Sequence, residues 1–282
     1  MPKPKPVRSR RRAKPQPRGD AGLIDRLHDH LDRLGLKELD GNLDAHLVWA
    51  HDHTPAALVL LERVFGEAAG HVRQRRVERR IDGCGLRVRK TLEAFDWAFQ
   101  KNLNRSLVEN LATLGFLDNR DDLLITGKSG TGKSHILQAL ALRACEREIR
   151  VCYTRCVDLI DDLYAGLADQ TYERRLRRWA RAEWLVIDDV GLGQLRRRDD
   201  EPTAAHMLFN LLDSRHEQAP TALTSNIKLG EWGKYLGDAT LAAAILDRLA
   251  ATSIRVDIDG PSYRDYLAKQ RAKAHGIVDD AT

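Results

Sequence analysis

The segment that most constrains the fold is a glycine-rich loop between an apolar run and a helical pattern, at residues 123–143, LLITGKSGTGKSHILQALALR. Residues 123–126 are apolar and β-prone, and apolar residues after Lys133 recur at helical spacing. A strand, a glycine loop matching GxxxxGK[ST] and a helix together predict a phosphate-binding P-loop. The predicted nucleotide-binding residues are Gly127, Lys128, Ser129, Gly130, Thr131, Gly132, Lys133 and Ser134.

Each residue type in this loop has a chemical reason. Glycines let main-chain N–H groups approach phosphate oxygens closely, and the helix N-terminus adds partial positive charge. Lys133 can reach the β- and γ-phosphates, and the Ser134 hydroxyl can bind Mg²⁺. The alternative, a glycine-rich surface turn with an unrelated lysine, does not account for the flanking strand and helix.

A second apolar run ends in two acids, in WLVIDDVG at residues 184–191. Asp188 fits the metal-binding carboxylate at the end of such a strand, and Asp189 could act as general base for the attacking water. A buried strand that ends in an acidic turn is the plainer interpretation, and the P-loop upstream favours the first.

Three later residues are weaker candidates. Asn226 follows the apolar run 221–224 and could orient the water, although Ser-Asn is also ordinary turn chemistry. Arg248 ends a predicted helix, where it could reach the nucleotide of a neighbouring subunit as an arginine finger or simply face solvent. Arg264 is a candidate phosphate sensor.

The order of apolar runs predicts an α/β fold, with a parallel sheet covered by helices on both faces and a ligand at the carboxyl ends of the strands. Before it, residues 21–90 read as a small all-helical domain, in which a helix either breaks or continues between Gly66 and Gly70. The predicted domains are a disordered basic arm (1–20), a helical domain for partner or DNA binding (21–90), the ATPase domain (91–266) and a C-terminal tail (267–282). The histidines near residues 28–71 lack metal-binding spacing.

The formal net charge is +5, and arginines concentrate in several clusters. Such clusters indicate a polyanion, most simply duplex DNA held through its phosphates, although solvated helix faces would look similar. The candidate DNA-binding residues are Arg73, Arg75, Arg76, Arg79, Arg80, Arg174, Arg175 and Arg178, and another cluster lies at 196–198.

The four cysteines form no CxxC pair and fit free thiols in a reducing compartment. No apolar run approaches the length of a membrane span, and the N-terminus lacks the apolar segment of a secretory signal. We therefore expect a cytoplasmic protein with no membrane partner.

In motif content and order the chain resembles the IstB-like transposition helper ATPases, which belong to the AAA+ superfamily and are related to the DnaC-type helicase loaders. The resemblance covers residues 91–264. It depends on KTLEAFDWAFQKNLNRSLVENLATLGFL, GKSGTGKSHILQALA, WLVIDDVG, TSNIKLGEWGKYLGD, ILDRL and GPSYR, in that order.

The resemblance implies specific roles. Lys133 and Ser134 would be the Walker A pair, Asp188 and Asp189 the Walker B pair. Asn226 would be sensor 1 and Arg248 the finger. A linker near the adenine would contain Phe95, Phe99 and Asn104. The chain departs from the family pattern at Lys128-Ser129, often Pro-Pro, and at Ile227-Lys228, often Arg-Pro.

The resemblance also implies ATP and Mg²⁺ as cofactors, ATP hydrolysis, ATP-dependent homo-oligomers on duplex DNA with little sequence preference, and a partner transposase. Three alternatives remain open: a helicase loader in DNA replication, a DNA-binding scaffold that hydrolyses ATP negligibly, and a small-molecule kinase. The basic clusters argue against the kinase.

Overall fold

The structure is a computed structural model that describes residues 21–195 and 202–274. It divides into two compact units between Arg75 and Arg76. The predicted basic arm at 1–20, the arginine cluster at 196–198 and residues 275–282 of the predicted tail lie outside the described residues. The predicted domain boundaries stay predictions.

The first unit consists of α1 (Ala21–Arg33), α2 (Lys37–His53) and the first part of α3 (Ala57–Gly83). α3 runs without a break through both central glycines, which settles the alternative that the sequence left open. Within this unit His28 Nδ1 lies 2.6 Å from Asp40 Oδ1. The apolar residues Leu58, Leu61 and Phe65 of α3 are exposed.

The second unit alternates strands and helices along the chain. Its elements are α4 (Arg105–Leu111), α5 (Gly115–Asn119), β1 (Asp122–Gly127), α6 (Lys133–Glu146), β2 (Val151–Arg155), α7 (Cys156–Ala168), α8 (Tyr172–Ala180), β3 (Trp184–Val190), α9 (Ala204–Arg215), β4 (Thr221–Ser225), a 3₁₀ turn (Leu229–Glu231), α10 (Trp232–Leu236), α11 (Ala239–Thr252), β5 (Ser253–Ile258) and α12 (Tyr263–Ala274).

The five strands form one parallel sheet in the order β2-β3-β4-β1-β5. The central strands β1, β3 and β4 are buried because helices cover both faces, so these strands are apolar runs rather than alternating patterns. Apolar clusters lie on the two faces of the sheet, one including α6 and the other including α7, α9 and α11. The predicted fold class, an α/β sheet sandwiched by helices, is confirmed.

Two further observations concern the cysteines and the helices of the described residues. Cys84, Cys145, Cys152 and Cys156 are free thiols. Across residues 21–195 and 202–274, no helix combines the length and the apolar character needed to cross a bilayer.

Candidate nucleotide-binding site

The site lies where the strand order brings three chain segments to one edge of the sheet. β4 lies between β1 and β3, and all three strands are parallel. Their carboxyl ends therefore lie at the same edge, where the loop after β1, the acids at the end of β3 and the residue after β4 meet. This edge contains the P-loop together with Asp188, Asp189 and Asn226.

The P-loop leads directly into the N-terminus of α6. Gly132 precedes the helix with φ +102°, and no side chain caps the helix, so its first N–H groups point toward the loop. A Cβ on Gly132 would lie 2.6 Å from Phe95 Cε2, and one on Gly130 would lie 2.3 Å from Ser262 Oγ. Glycine is therefore required at both positions by conformation and by space.

The ammonium group of Lys133 is folded into the loop. Its Nζ donates to the carbonyl oxygens of Gly127 and Lys128, both at 2.8 Å. Burial lowers the pKa of Lys133, and the carboxylates of Asp189 and Asp188 oppose that shift. A buried ammonium that bonds only neutral carbonyls is suited to take phosphate oxygens as stronger acceptors.

Asp188 and Ser134 supply the oxygen atoms that a magnesium ion prefers. Ser134 Oγ donates to Asp188 Oδ1 at 3.0 Å, across 54 residues of sequence. No cluster of three His, Cys, Asp or Glu side chains suited to a metal occurs within the described ranges. One carboxylate and one hydroxyl fit Mg²⁺, which usually retains several waters and binds substrate phosphates.

Asp189 is held in an unusual backbone conformation beside this pair. A register shift between Ile187 and Val190 interrupts the pairing of β3 with β4, and Asp189 has φ +62°. Bulges of this kind redirect a side chain next to a site. Asn226 Nδ2 donates to Asp189 Oδ1 at 2.9 Å, and the Asn226 N–H donates to the Val190 carbonyl at 2.9 Å.

A cavity of about 360 Å³ opens over these residues, within the size range of ligand pockets. Nine predicted site residues line it: Phe95, Gly130, Thr131, Gly132, Lys133, Ser134, Asp189, Asn226 and Arg264. The sequence did not predict the other lining residues, which are Lys90, Ala94, Asp96, Gln100, His135, Gln138, Tyr263 and Leu267. Burial lowers the pKa of His135, which favours the neutral imidazole beside the cavity.

Other predicted site residues do not line the cavity. The rings of Phe99 and Tyr263 are in edge contact with centroids 5.1 Å apart, so Phe99 lies behind the lining. Asn104 caps α4, where its side-chain oxygen accepts from the Leu107 N–H at 3.0 Å. Lys128 and Ser129 are exposed on the outside of the loop. The nucleotide-binding roles of these residues stay predictions.

Arg248 lies near the amino ends of the strands, on the side of the sheet opposite to the P-loop. It borders a small cleft with Asp122 and Thr221, which begin β1 and β4. Its guanidinium carbon lies 4.4 Å from the centre of the Phe209 ring and its Nη1 pairs with Asp213. The chain therefore does not place Arg248 at its own P-loop.

Three residues in the hydrogen-bonded surroundings of Asp188 were not among the predicted site residues. Thr224 Oγ1 donates to Asp188 Oδ1, and the Tyr153 hydroxyl donates to Asp188 Oδ2. Gln138 Nε2 in turn donates to the Tyr153 hydroxyl at 3.3 Å. Only the sheet order, which places β2 beside β3, could have indicated Tyr153.

A separate groove of about 970 Å³ lies beside α8 and the edge strand β2. We call it the arginine groove, and it is lined by Arg150, Cys152, Arg174, Arg175, Arg177, Arg178, Arg181 and Ala182. Three of the predicted DNA-binding residues are here. Arg175 pairs with Asp162 and Asp169, Arg178 also pairs with Asp162, and Arg174 is exposed.

The remaining DNA-binding candidates lie along α3. In the first unit Arg75 pairs with Glu38 at 2.9 Å, and Arg73 belongs to the same unit. In the second unit Arg76 pairs with Glu148 at 2.9 Å. Arg79 and Arg80 follow in the same helix, and no residue described in the structure bonds the buried Arg80 Nε. DNA binding by these arginines stays a prediction.

The fold is that of the AAA+ P-loop proteins: a β2-β3-β4-β1-β5 sheet, a glycine-rich loop after β1 and paired acids on β3. The family model described as IstB-like ATP binding protein matches residues 29–274. The chain belongs to that family.

Two curated relatives are named as ATP-binding proteins of insertion sequences. The relative from IS5376 of Geobacillus stearothermophilus is 31% identical over 86% of this chain and 94% of its own length. The relative from IS21 of Pseudomonas aeruginosa is 35% identical over 74% of this chain and 76% of its own length.

Among solved structures, AMPPCP-bound DnaA from Aquifex aeolicus is similar with a TM-score of 0.52. The sequences are 21% identical, and the match covers 69% of this chain and 58% of that chain. This likeness shows a shared fold.

Proposed function

We propose that this chain binds ATP with Mg²⁺, hydrolyses it, and acts on duplex DNA as a helper of a transposase. The observation that carries the proposal is the arrangement at one sheet edge: Ser134 against Asp188, and Asn226 against Asp189, beside the P-loop. Binding ATP needs only the loop, whereas hydrolysis also needs a base and a group that holds it in place.

The proposed division of work follows from the contacts. The first N–H groups of α6 and the ammonium of Lys133 would hold the phosphates, and Ser134 with Asp188 would hold the magnesium ion. That ion would supply positive charge against the charge developing on the phosphate oxygens. Asp189 would accept a proton from the attacking water, with its carboxylate oriented by Asn226.

The position of Arg248 leads us to propose that several chains assemble. It lies at the sheet edge opposite the P-loop of its own chain, so it could reach a nucleotide only on another chain. An arginine finger supplied in this way stabilises the charge of the transition state. It would make hydrolysis depend on the oligomer.

Duplex DNA is the proposed polyanion, and the arginine groove is its proposed contact. Six arginines line the groove, and Arg174, Arg177 and Arg181 are exposed there. Contacts to phosphates position a protein on DNA without reading bases. Affinity should therefore fall steeply with salt and depend little on sequence.

The partner transposase is proposed from the relatives, which are named for insertion sequences. A helicase-loading role uses the same ATPase core, and the partner distinguishes the two functions. We expect this chain to co-purify with a partner transposase and to stimulate the activity of that transposase. Binding to a replicative helicase, with no effect on the transposase, would support the loader instead.

The experiment that tests the proposal measures ATP hydrolysis with and without duplex DNA while light scattering follows particle size. We expect DNA and ATP together to give large particles and faster turnover. Monomeric protein with the same turnover in the presence and absence of DNA would contradict the proposal. ATP binding without measurable turnover would leave a DNA-binding scaffold as the better description.

A further inference from the structure

Tyr153 links the edge strand β2 to the carboxylate proposed to bind magnesium. Its hydroxyl donates to Oδ2 of Asp188 on the neighbouring strand β3, and its side chain is largely buried. Tyr153 pairs in register with Val186, two residues before Asp188, so the side chain reaches along the sheet toward the site. It does not line the nucleotide cavity itself; its hydroxyl contacts Asp188 and also Gln138, which does line the cavity.

The two oxygen atoms of Asp188 have different partners. Oδ1 accepts from Ser134 Oγ at 3.0 Å, from the Asp189 N–H at 3.0 Å and from Thr224 Oγ1. Oδ2 accepts from Tyr153. The terminal torsion of an aspartate is intrinsically broad, so a donor at Oδ2 in addition to those at Oδ1 narrows it. The bond at Oδ2 therefore fixes the rotation that turns Oδ1 toward Ser134.

The Tyr153 hydroxyl is held as a donor. Gln138 Nε2 donates to its oxygen at 3.3 Å, which leaves its own proton for Asp188. A tyrosine hydroxyl ordinarily keeps its proton at neutral pH, so it can act as a donor there. The main chain is also fixed, because the Tyr153 N–H donates to the Cys84 carbonyl at 2.6 Å.

We propose that Tyr153 is a positioning residue for the bound magnesium ion: its hydroxyl holds Asp188 Oδ2 so that Oδ1 stays beside Ser134. The inference rests on the proposed function, since it assigns a role within that metal site. Partners that orient metal ligands from outside typically change metal affinity or activity about 10- to 100-fold when they are removed. Tyr153 would thus set the magnesium requirement without touching nucleotide.

The test compares Tyr153→Phe with Tyr164→Phe. Both tyrosines are buried donors, but the Tyr164 hydroxyl bonds the Pro202 carbonyl at 2.8 Å, away from Asp188. A fluorescent ATP analogue is titrated into each protein, first in EDTA and then at increasing Mg²⁺. For Tyr153→Phe we expect unchanged affinity in EDTA and a half-saturating Mg²⁺ concentration raised about 10-fold. Tyr164→Phe should match the wild type in both titrations.

Turnover is measured on the same samples to separate this inference from the proposed hydrolysis. For Tyr153→Phe, kcat should fall at low Mg²⁺ and recover in part at high Mg²⁺, with a smaller effect on KM. A wild type that binds Mg·ATP without turnover would refute hydrolysis, and the Mg²⁺ titration of binding would still test Tyr153.

Two results would overturn the role of Tyr153. One is a Mg²⁺ titration of Tyr153→Phe that coincides with the wild type. The other is an equal loss of affinity in EDTA and in Mg²⁺, which would indicate a structural role. If Tyr153→Phe does not fold, Tyr153→Met takes its place, because methionine also lacks the hydroxyl and adapts its shape to a buried gap. The same direction is expected, and the same two results would contradict it.

Discussion

The side-chain nitrogen of Asn226 lies 2.9 Å from Oδ1 of Asp189; Asp189 belongs to β3, and Asn226 directly follows the adjacent strand β4. The strained backbone of Asp189 turns its carboxylate toward the cavity, and the amide of Asn226 receives it there. Strain of this kind persists where the surrounding structure over-determines the conformation. The pair therefore places a carboxylate close to the phosphate loop in a single orientation.

The Asn226→Ala variant should lower kcat for ATP roughly 10- to 100-fold and leave the affinity for ATP almost unchanged. The reason is that a hydrogen bond to a charged group is typically worth about 1.5–3 kcal/mol. Steady-state kinetics and nucleotide titration separate the two quantities. Asn210→Ala, which removes an amide that faces Tyr172 instead, serves as the control. An Asn226→Ala variant with wild-type kcat would contradict the pairing as a functional contact.

The Arg248→Ala variant should bind ATP and lose about 10³-fold in hydrolysis, as expected for an arginine finger. Because the arginine would act on a neighbouring chain, activity should return when Arg248→Ala is mixed with Lys133→Ala. The first supplies an intact P-loop, and the second supplies an intact finger. Hydrolysis is measured across the mixing ratio.

One result of the mixing experiment would contradict the arginine-finger role of Arg248. If the mixture stays inactive while both variants form oligomers of wild-type size, Arg248 does not act across subunits. Its ion pair with Asp213 and its packing on Phe209 would then be its whole role.

The Arg174→Ala variant should weaken binding to all duplex sequences alike and reduce the slope of log affinity against log salt by about 1. Fluorescence anisotropy at several salt concentrations measures the slope. Arg255→Ala is a matched control, since Arg255 is exposed on β5, at the other end of the sheet from the edge strand β2. Equal effects of the two substitutions would show that the arginine groove has no special role.

The Arg215→Met variant should lower the free energy of unfolding by about 3 kcal/mol or more. The Arg215 side chain is buried and donates to Thr221 Oγ1 and to the carbonyls of Ala180, Ala182 and Pro220. Methionine would remove all of these hydrogen bonds and leave the Ala180 and Ala182 carbonyls without the guanidinium donor. Urea unfolding measures the change, with the exposed Arg177→Ala as control. A loss below 1 kcal/mol would contradict this role.

The sequence predicted the strand and the helix around the P-loop closely, because the strand is a continuous apolar run and apolar residues recur at helical spacing in the helix. The expected strand at 123–126 and the helix from Lys133 correspond to β1 and α6. It did not predict the strand order, since alternating strands and helices fit several orders of a parallel sheet. The helix α12 was also not predicted, because it is mostly basic and polar and its few apolar residues form no clear helical repeat.

Site residues that belong to a short sequence motif could be predicted. Site residues that come together only through packing of distant segments could not. Lys133, Ser134 and Asp188 belong to two short motifs that the sequence displays. Tyr153 reaches Asp188, and Gln138 reaches Tyr153, only because β2 and α6 pack beside β3. Hydrogen bonds between distant segments leave no local pattern in a single sequence.

The most direct test of the central claim measures ATP binding and ATP turnover for Lys133→Ala and Lys128→Ala. The two lysines share the loop, but Lys133 is buried at its centre and Lys128 is exposed. If the P-loop is the nucleotide site, Lys133→Ala should lose turnover and most ATP affinity. Lys128→Ala should keep both, because it leaves the main-chain groups of the loop in place and removes only an exposed side chain. Wild-type turnover in Lys133→Ala would contradict the account.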